Sequence, residues 1–474
     1  MEPRNKKSNF KIVSILCLGL KVLLKIQIIF LSQKQYFSEM SKSERQKKII
    51  IIGNGISGIT AARHLRKKSD HSIIVISEES PYFFSRTALM YVYMGQLKFE
   101  HTKPYEDDFW KKNKIKLIQQ HVDEINLEQK ELLFDNQTSL NYDYLVIASG
   151  SVPNRLNCPG ENLKAVQCFY HKQDLDLLES WTSSTSTAVV VGGGLIGIEL
   201  AEMLHSRGKK VHFLIREPSF WNQVLASEES ELINQHLESH GINLHFSTEL
   251  KAIKGNNEGR VCGIQTSHNS ELKCEWVGLA IGVSPNIDFL KDSGLSINKG
   301  IRVNPYLETT SPGVYAIGDC AELIEPPPGR NAIEPLWYTG RIMGETLAQT
   351  LTVKKTKYTP GSWFNSAKFF DIEYQTYGTV SAHPDPEQEA QFFWKRDQEN
   401  SCIRLSYHPK DQIFLGVVSL GLRLRHEVFD QWLQEQVKIE KVIKNLEIAF
   451  FNPEFSPNYI SEIQKLWSLK HAVV

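Results

Sequence analysis

"KIIIIGNGISGITAARHLRKKSDHSIIVISE", residues Lys48–Glu78, is the stretch on which the rest of the chain turns. Four consecutive isoleucines, Ile49 to Ile52, have the continuous apolar character of a strand buried on both faces of a parallel sheet. Gly53, Gly55 and Gly58 then predict a tight turn into a helix, with Ala62 four residues beyond the last of them. A second apolar strand, Ile73 to Ile76, is followed by Ser77 and Glu78. Strand, glycine turn, helix, strand and acid are the parts of a dinucleotide-binding fingerprint, in order. The first glycine permits the turn, the second lets a pyrophosphate approach the backbone, and the third lets helix and strand pack closely. The N-terminus of the helix attracts the negative charge. Glu78, 25 residues after Gly53, is placed to accept from a ribose hydroxyl.

The design occurs twice. "TAVVVGGGLIGIELAEMLHSRGKKVHFLIRE" (Thr187–Glu217) has a strand at Ala188 to Val191, glycines at 192, 194 and 197, Ala201 four further on, and a second strand at Val211 to Ile215. Two complete fingerprints about 140 residues apart imply two dinucleotide sites in one α/β chain. Between them, "YDYLVIASGSVP" (Tyr142–Pro153) is an apolar strand ending in Ala148, Ser149 and Gly150, small residues at the end of a strand where an open parallel sheet binds ligands. "SPYFFSRTALMYVYMG" (Ser80–Gly95) carries Ser85 and Arg86 into a helix-like run rich in Leu, Met and Tyr. "TTSPGVYAIGDCAEL" (Thr309–Leu323) reads as a short buried strand at Tyr315 to Ile317, after which Gly318 allows close approach and Asp319 faces a ligand.

Together these stretches resemble the FAD-dependent pyridine nucleotide–disulfide oxidoreductase superfamily. "SRTALMY" is similar to the "SRPPLSK" of its ferredoxin- and rubredoxin-reductase branch and of the flavin domain of NAD(P)H nitrite reductases. The resemblance spans roughly residues 48 to 380 and implies two Rossmann-like domains and a small α+β C-terminal domain. It implies an FAD-binding domain in two pieces, 48–160 and 286–355, an NAD(P)-binding domain inserted at 161–285, and an interface-like domain at 356–474. FAD would be held by Gly53, Gly55, Gly58, Glu78, Arg86, Ala148, Ser149, Gly150, Gly318 and Asp319, the aspartate on the ribityl chain. The nicotinamide coenzyme would be held by Gly192, Gly194, Gly197, Glu199, Arg216 and Gly282, with Glu199 near the nicotinamide. Tyr91 stands where these relatives have a lysine that helps position the flavin edge, and Ser149 departs conservatively from their "ATGSxP". "LAIGVSPNIDFL" (Leu279–Leu290) resembles their return strand to the flavin. A helix starting near Pro335 would aim its N-terminal amides at the flavin, with Trp337 or Tyr338 shielding the ring.

An acid after the second strand of the coenzyme fingerprint accepts from the 2′-hydroxyl of NAD, whereas an arginine accommodates the 2′-phosphate of NADP. Ile215 stands where NAD-using relatives often place Glu, and Arg216 where NADPH users place Arg. That favours NADPH, and the adjacent Glu217 keeps NADH open.

The implied chemistry is hydride transfer from NAD(P)H to FAD, with electrons then passing to an external acceptor. No protein acid or base is required for that transfer. The 7 cysteines (17, 158, 168, 262, 274, 320 and 402) contain no CxxC pair, which argues against a disulfide framework and a zinc site. None lies between Cys17 and Cys158, so the redox pair of a disulfide reductase is missing, as are cysteine clusters for an iron–sulfur centre. The expected acceptor is a small ferredoxin- or rubredoxin-type protein. A membrane-surface quinone reductase and a redox-sensing scaffold of the apoptosis-inducing-factor type are the alternatives.

The 474 residues, 41% of them apolar, suffice for two or three cored domains. Net charge is zero, yet residues 1–48 carry eleven Lys/Arg against three Glu, leaving the remainder net negative and unsuited to nucleic acid. In the leader, Lys11, Ser14, Lys21 and Lys25 form one helical stripe within a run too interrupted to span a bilayer. Residues 1–47 are therefore either a membrane-surface or targeting helix, with contact through residues 10–31, or residues upstream of a true start at Met40. The location follows: cytoplasmic, or membrane-associated if the leader is genuine. At the other end, "WFNSAKFFDIEYQTYG" (Trp363–Gly378) has the alternation of a strand and resembles the opening of the branch's third domain, which covers the flavin or makes a homodimer contact. A strand meander follows, then "RLRHEVFDQWLQEQVKIEKVIKNL" as one amphipathic helix with His426 on its polar face.

Overall fold

The isoleucine run does become the centre of a sheet. In the computed structural model, which describes residues 46–451 and 459–471, the strand Lys48–Ile52 lies between Ser72–Ser77 and Tyr144–Ile147, all parallel. Ile115–Gln119 and Val314–Ala316 complete a five-stranded parallel sheet. Ile49, Ile50 and Ile51 are wholly buried, as covering a parallel sheet on both faces requires. Val314–Ala316 comes from a part of the chain some 170 residues after its neighbour Tyr144–Ile147 and restores the first sheet after an intervening one.

That second sheet is also five-stranded and parallel, in the order Asn243–His245, Lys210–Leu214, Thr187–Val191, Trp276–Leu279, Val166–Gln167. In both sheets the first strand of a glycine fingerprint is central, and the order reverses beside it, which opens a crevice at the carboxyl ends of the strands. A third, antiparallel sheet runs Phe364–Phe369, Ile372–Gly378, Phe414–Leu420, Ser401–Tyr407, Ala390–Arg396.

Two local expectations are corrected and a third is refined by two residues. The single strand expected across Trp363–Gly378 is a hairpin, turning at Phe370, whose φ is 58°. The expected long C-terminal helix breaks into His426–Gln434 and Ile439–Lys444. Gln436 takes a left-handed φ of 50° between them, so that the Phe414 amide donates to Val437 O (2.8 Å) and the Ile439 amide to Gln412 O (2.8 Å). Pairing with the segment that leads into the central strand Phe414–Leu420 outweighs helical continuity there. The helix expected near Pro335 begins at Trp337 and runs to Thr352.

The C-terminal sheet does not have a core wholly of its own. Phe369, Phe370, Ile372, Tyr374, Cys402, Val418 and Leu420 share one apolar cluster with the second parallel sheet, while Trp394, Phe414, Phe429 and Trp432 form a separate cluster under the terminal helices. No helix among the described residues is long and apolar enough to cross a membrane. The stripe expected at Lys11, Ser14, Lys21 and Lys25 lies outside the described residues.

Candidate functional site

The two glycine loops have the same construction. Gly53 (φ 106°) and Gly192 (φ 115°) take a conformation L-residues rarely adopt, and a Cβ on either would lie 2.0 Å and 2.3 Å from the carbonyl oxygens of Ala148 and Ala280 respectively. A Cβ on Gly58 would meet Gly53 O at 2.1 Å, and one on Gly197 would meet Gly192 O at 2.0 Å. Strand, turn and helix thus account for the first and third glycine of each loop. They do not account for the middle ones. Gly55 (φ −68°) and Gly194 (φ −102°) have ordinary backbone angles and nothing within 4 Å of a would-be Cβ. Each is the N-cap of its helix, and neither helix has a side-chain capping hydrogen bond. An anion seated on free amides, with space kept beside a glycine, is what this arrangement suits, so the donor set fits a dinucleotide pyrophosphate at both loops.

Around the first loop, the Ala148 amide donates to Ile52 O (2.8 Å), Ser149 Oγ to Asn286 O (2.7 Å), and the Asn286 amide to Gly150 O (2.9 Å). Ser151 Oγ donates to Asp319 Oδ2 at 3.0 Å, and burial still pushes the Asp319 carboxyl above its ordinary range. Gly318 (φ 76°) closes this corner, since a Cβ there would stand 2.3 Å from Ser57 Oγ. Arg86 is clamped rather than free: Nη1 donates to Glu79 Oε1 (3.0 Å) and Tyr170 O (2.5 Å), and Nη2 to Glu79 Oε2 (2.5 Å). Burial pushes the Glu79 carboxyl up, but hydrogen bonds from His171 and Arg86 outweigh it and hold the group at about 2. Glu79 also accepts from the Lys172 amide at 2.9 Å and so links Arg86 to the second half of the molecule. Its only sequence signal is being the second acid of the Glu78–Glu79 pair. Glu78 itself is exposed after Ser77 and pairs with His121 Nδ1 at 2.5 Å.

Near the second loop, desolvation and the neighbouring Glu202 push Glu199 up to about 7. Glu202 is buried and pairs with Lys368 Nζ (2.9 Å), which also lies 5.8 Å from the Tyr91 ring centroid. Tyr91 occupies the position where the resembling sequences have lysine, and the third sheet brings a lysine beside it. Sequence order could not show this. Arg216 extends into solvent with Nη2 2.8 Å from Glu217 Oε1. Gly282 (φ 95°) accepts through its carbonyl from the Asn154 amide at 3.0 Å. Tyr338 is turned to the third sheet, its hydroxyl 3.0 Å from Ser366 Oγ, while Trp337 stays partly exposed. His426 does not lie on a polar face: its ring packs at 4.3 Å from Phe364 and 5.3 Å from Tyr377. All six described cysteines are free, and burial pushes Cys158, Cys168, Cys274, Cys320 and Cys402 up, away from thiolate chemistry.

The chain is 29% identical over 280 residues to a nitrite reductase [NAD(P)H] of Bacillus subtilis, matching 58% of this chain and 34% of that protein. It spans about a third of the length of the two B. subtilis relatives it matches, the second being an assimilatory nitrate reductase electron transfer subunit. It is 29% identical to a rubredoxin-NAD(+) reductase of Acinetobacter baylyi, over 58% of this chain and 72% of that one. Among solved structures, a ferredoxin reductase from Rhodopseudomonas palustris shares the fold with a TM-score of 0.73 at 24% identity, over 79% of this chain and 91% of that one. Residues 47–344 match the family described as pyridine nucleotide-disulphide oxidoreductase. With two glycine cradles set in two parallel sheets, the chain belongs to the pyridine nucleotide-disulphide oxidoreductase family.

Proposed function

We propose that the chain is an FAD-dependent NAD(P)H:acceptor oxidoreductase that delivers electrons to a small ferredoxin- or rubredoxin-type protein in the cytoplasm. The observation that carries this reading is the pair of open cradles at Gly55 and Gly194, one per parallel sheet, with only free cysteines among the described residues. Bound FAD supplies the two-electron chemistry. Gly53, Gly55 and Gly58 hold its pyrophosphate, Glu78 accepts from its ribose, and Asp319 from its ribityl hydroxyls. Arg86, fixed by Glu79, lies along its edge beside Ala148, Ser149 and Gly150. In the second cradle, Gly192, Gly194 and Gly197 hold the coenzyme pyrophosphate, Gly282 lets the backbone come close, and Glu199 borders the nicotinamide. The domain limits are those of the sequence: 48–160 with 286–355, and 161–285. A rubredoxin-NAD(+) reductase and a rhodocoxin reductase among the relatives support the protein acceptor, and a NADH oxidase of Methanocaldococcus jannaschii makes oxygen the rival one.

The test is stopped-flow reduction of the purified flavoprotein by NADPH and NADH, followed by turnover with a ferredoxin, a rubredoxin, a soluble quinone and oxygen. Rapid bleaching and turnover fastest with an iron–sulfur or rubredoxin partner are expected. Failure of both nicotinamides to bleach the flavin sinks the enzyme reading, and turnover with quinone or oxygen alone sinks the protein acceptor. Arg216 is exposed and carries the preference for NADPH. Arg216→Ala should raise the KM for NADPH at least about tenfold, close to 1.4 kcal/mol, with little change for NADH. Equal losses would remove the NADPH preference.

A further inference from the structure

Away from both glycine loops, the structure brings together two histidines and a carboxylate that the flavin chemistry does not use. His236 and His240 stand four residues apart at the end of the helix Ser227–Ser239, on one face, and Asp371 reaches them from the turn of the Phe364–Gly378 hairpin. His236 Nε2 is 2.5 Å and His240 Nε2 3.9 Å from Asp371 Oδ1, and all three ligand atoms lie within 4.8 Å of one another. Cysteine spacing passes over this group, since His240 and Asp371 are 131 residues apart in the chain.

The His240 ring is set for a ligand as it stands, and the His236 ring becomes so once the Asn400 amide is turned over. His240 Nδ1 donates to the carbonyl oxygen of His236 at 2.9 Å, so its Nε2 carries the lone pair and faces the aspartate. His236 Nδ1 faces the side-chain amide of Asn400 at 3.3 Å. With that amide turned over, its oxygen accepts from Nδ1–H and frees Nε2 of His236 in the same way. Phe370 walls the group, its ring 4.9 Å from His240 and 6.5 Å from His236.

We propose that His236, His240 and Asp371 bind one divalent transition-metal ion of the zinc class, which pins the hairpin of the C-terminal sheet to the coenzyme-side helix. Two imidazoles and one carboxylate, with a fourth position left to water, form a zinc donor set; the oxygen-only preference of magnesium and calcium makes them poor occupants. A tetrahedral ion holds its ligand atoms roughly 3.3 Å apart at Zn–N distances of about 2.0 Å. Asp371, whose side chain is 76% exposed, has room to swing outward from His236 to that separation. The ion's work is structural, since the ligands belong to two layers that otherwise meet through apolar packing and ion pairs.

The test uses the full-length flavoprotein, treated with chelator, dialysed and titrated with zinc chloride by calorimetry without nicotinamide. His236 is buried, so the variants are the more exposed ligands, His240→Ala and Asp371→Asn. One equivalent of zinc is expected in the parent, weakened at least about tenfold in each variant, with magnesium chloride giving no saturable heat. Saturating zinc should also raise the Tm of the parent and leave both variants unmoved. Absence of one-equivalent binding in the parent overturns the proposal, and so does equal affinity in parent and variants.

Discussion

At the scale of single residues, the glycines of each loop divide into two kinds. Gly53 is required by the protein: its φ of 106° and the carbonyl of Ala148, 2.0 Å from a would-be Cβ, exclude any side chain whatever is bound. Gly55 is required by nothing in the protein, with φ −68° and open space around it. The two should therefore fail differently. Gly53→Ala strains the backbone and drives a methyl into a peptide, and should lower the stability of the flavin-free protein by about 2 kcal/mol or more. Gly55→Ala should leave that stability nearly unchanged while weakening FAD at least about tenfold, some 1.4 kcal/mol. Melting of flavin-free protein and the flavin-to-protein ratio on purification separate the two. Equal loss of stability in both variants would mean that Gly55 is structural after all. The glycine loops were readable in the sequence because each is a local pattern whose chemistry is complete within a few residues. Glu79 was not, because its partners, Arg86, Tyr170 and Lys172, converge from two segments more than 80 residues apart.

At the scale of elements, local strands were legible and their partners were not. The apolar run Ala188 to Val191 marks a strand, but only the fold places Trp276–Leu279 on one side of it and Lys210–Leu214 on the other. The break at Gln436 was hidden for the same reason, since the segment leading into the central strand Phe414–Leu420 decides it. The helix Trp337–Thr352 holds another unread feature, Gly340 and Gly344 four residues apart on one face. Both lie against the helix Ile56–Lys68 that follows the first glycine loop: a Cβ on Gly340 would stand 2.4 Å from Ser57 Oγ, and one on Gly344 2.6 Å from Ser57 O. The two glycines let the helices meet backbone to backbone, and that contact aims the amino end of one beside the cradle of the other. Gly344→Leu cannot be accommodated without parting the helices, so a cost of about 1–3 kcal/mol is expected. Because the displaced helix borders the first cradle, FAD should be lost well before the chain unfolds. Flavin fluorescence released below the main melting transition checks this, and simultaneous release and unfolding would contradict it.

At the scale of the whole molecule, the C-terminal sheet and the second parallel sheet behave as one body in their packing. Their shared apolar cluster is reinforced by Lys368 on Glu202 and by Arg404, whose Nε and Nη2 donate to Glu229 at 2.6 and 2.8 Å while Nη2 also reaches Glu228 at 2.9 Å. Glu229 is 1% exposed and Arg404 lies against the Phe393 ring, 4.4 Å from its centroid. The resemblance implies residues 356–474 as a domain, and hydrophobic patterning shows which of its faces are apolar and not what covers them. A buried pair of this kind costs most when one partner is removed, because the other stays charged in an apolar site. Arg404→Met should destabilise the protein by about 3–5 kcal/mol, whereas Arg404→Met combined with Glu229→Leu should recover most of that loss. If the tie joins the sheet to the coenzyme side, the single variant should speed hydrogen exchange in Ser401–Tyr407 and in the helix Ser227–Ser239 together. The strands around Lys48–Ile52 should keep their protection, because that sheet packs in a different apolar cluster. Exchange that rises only in the C-terminal sheet would show that the two layers open independently, and the shared cluster would then be contact without mechanical coupling.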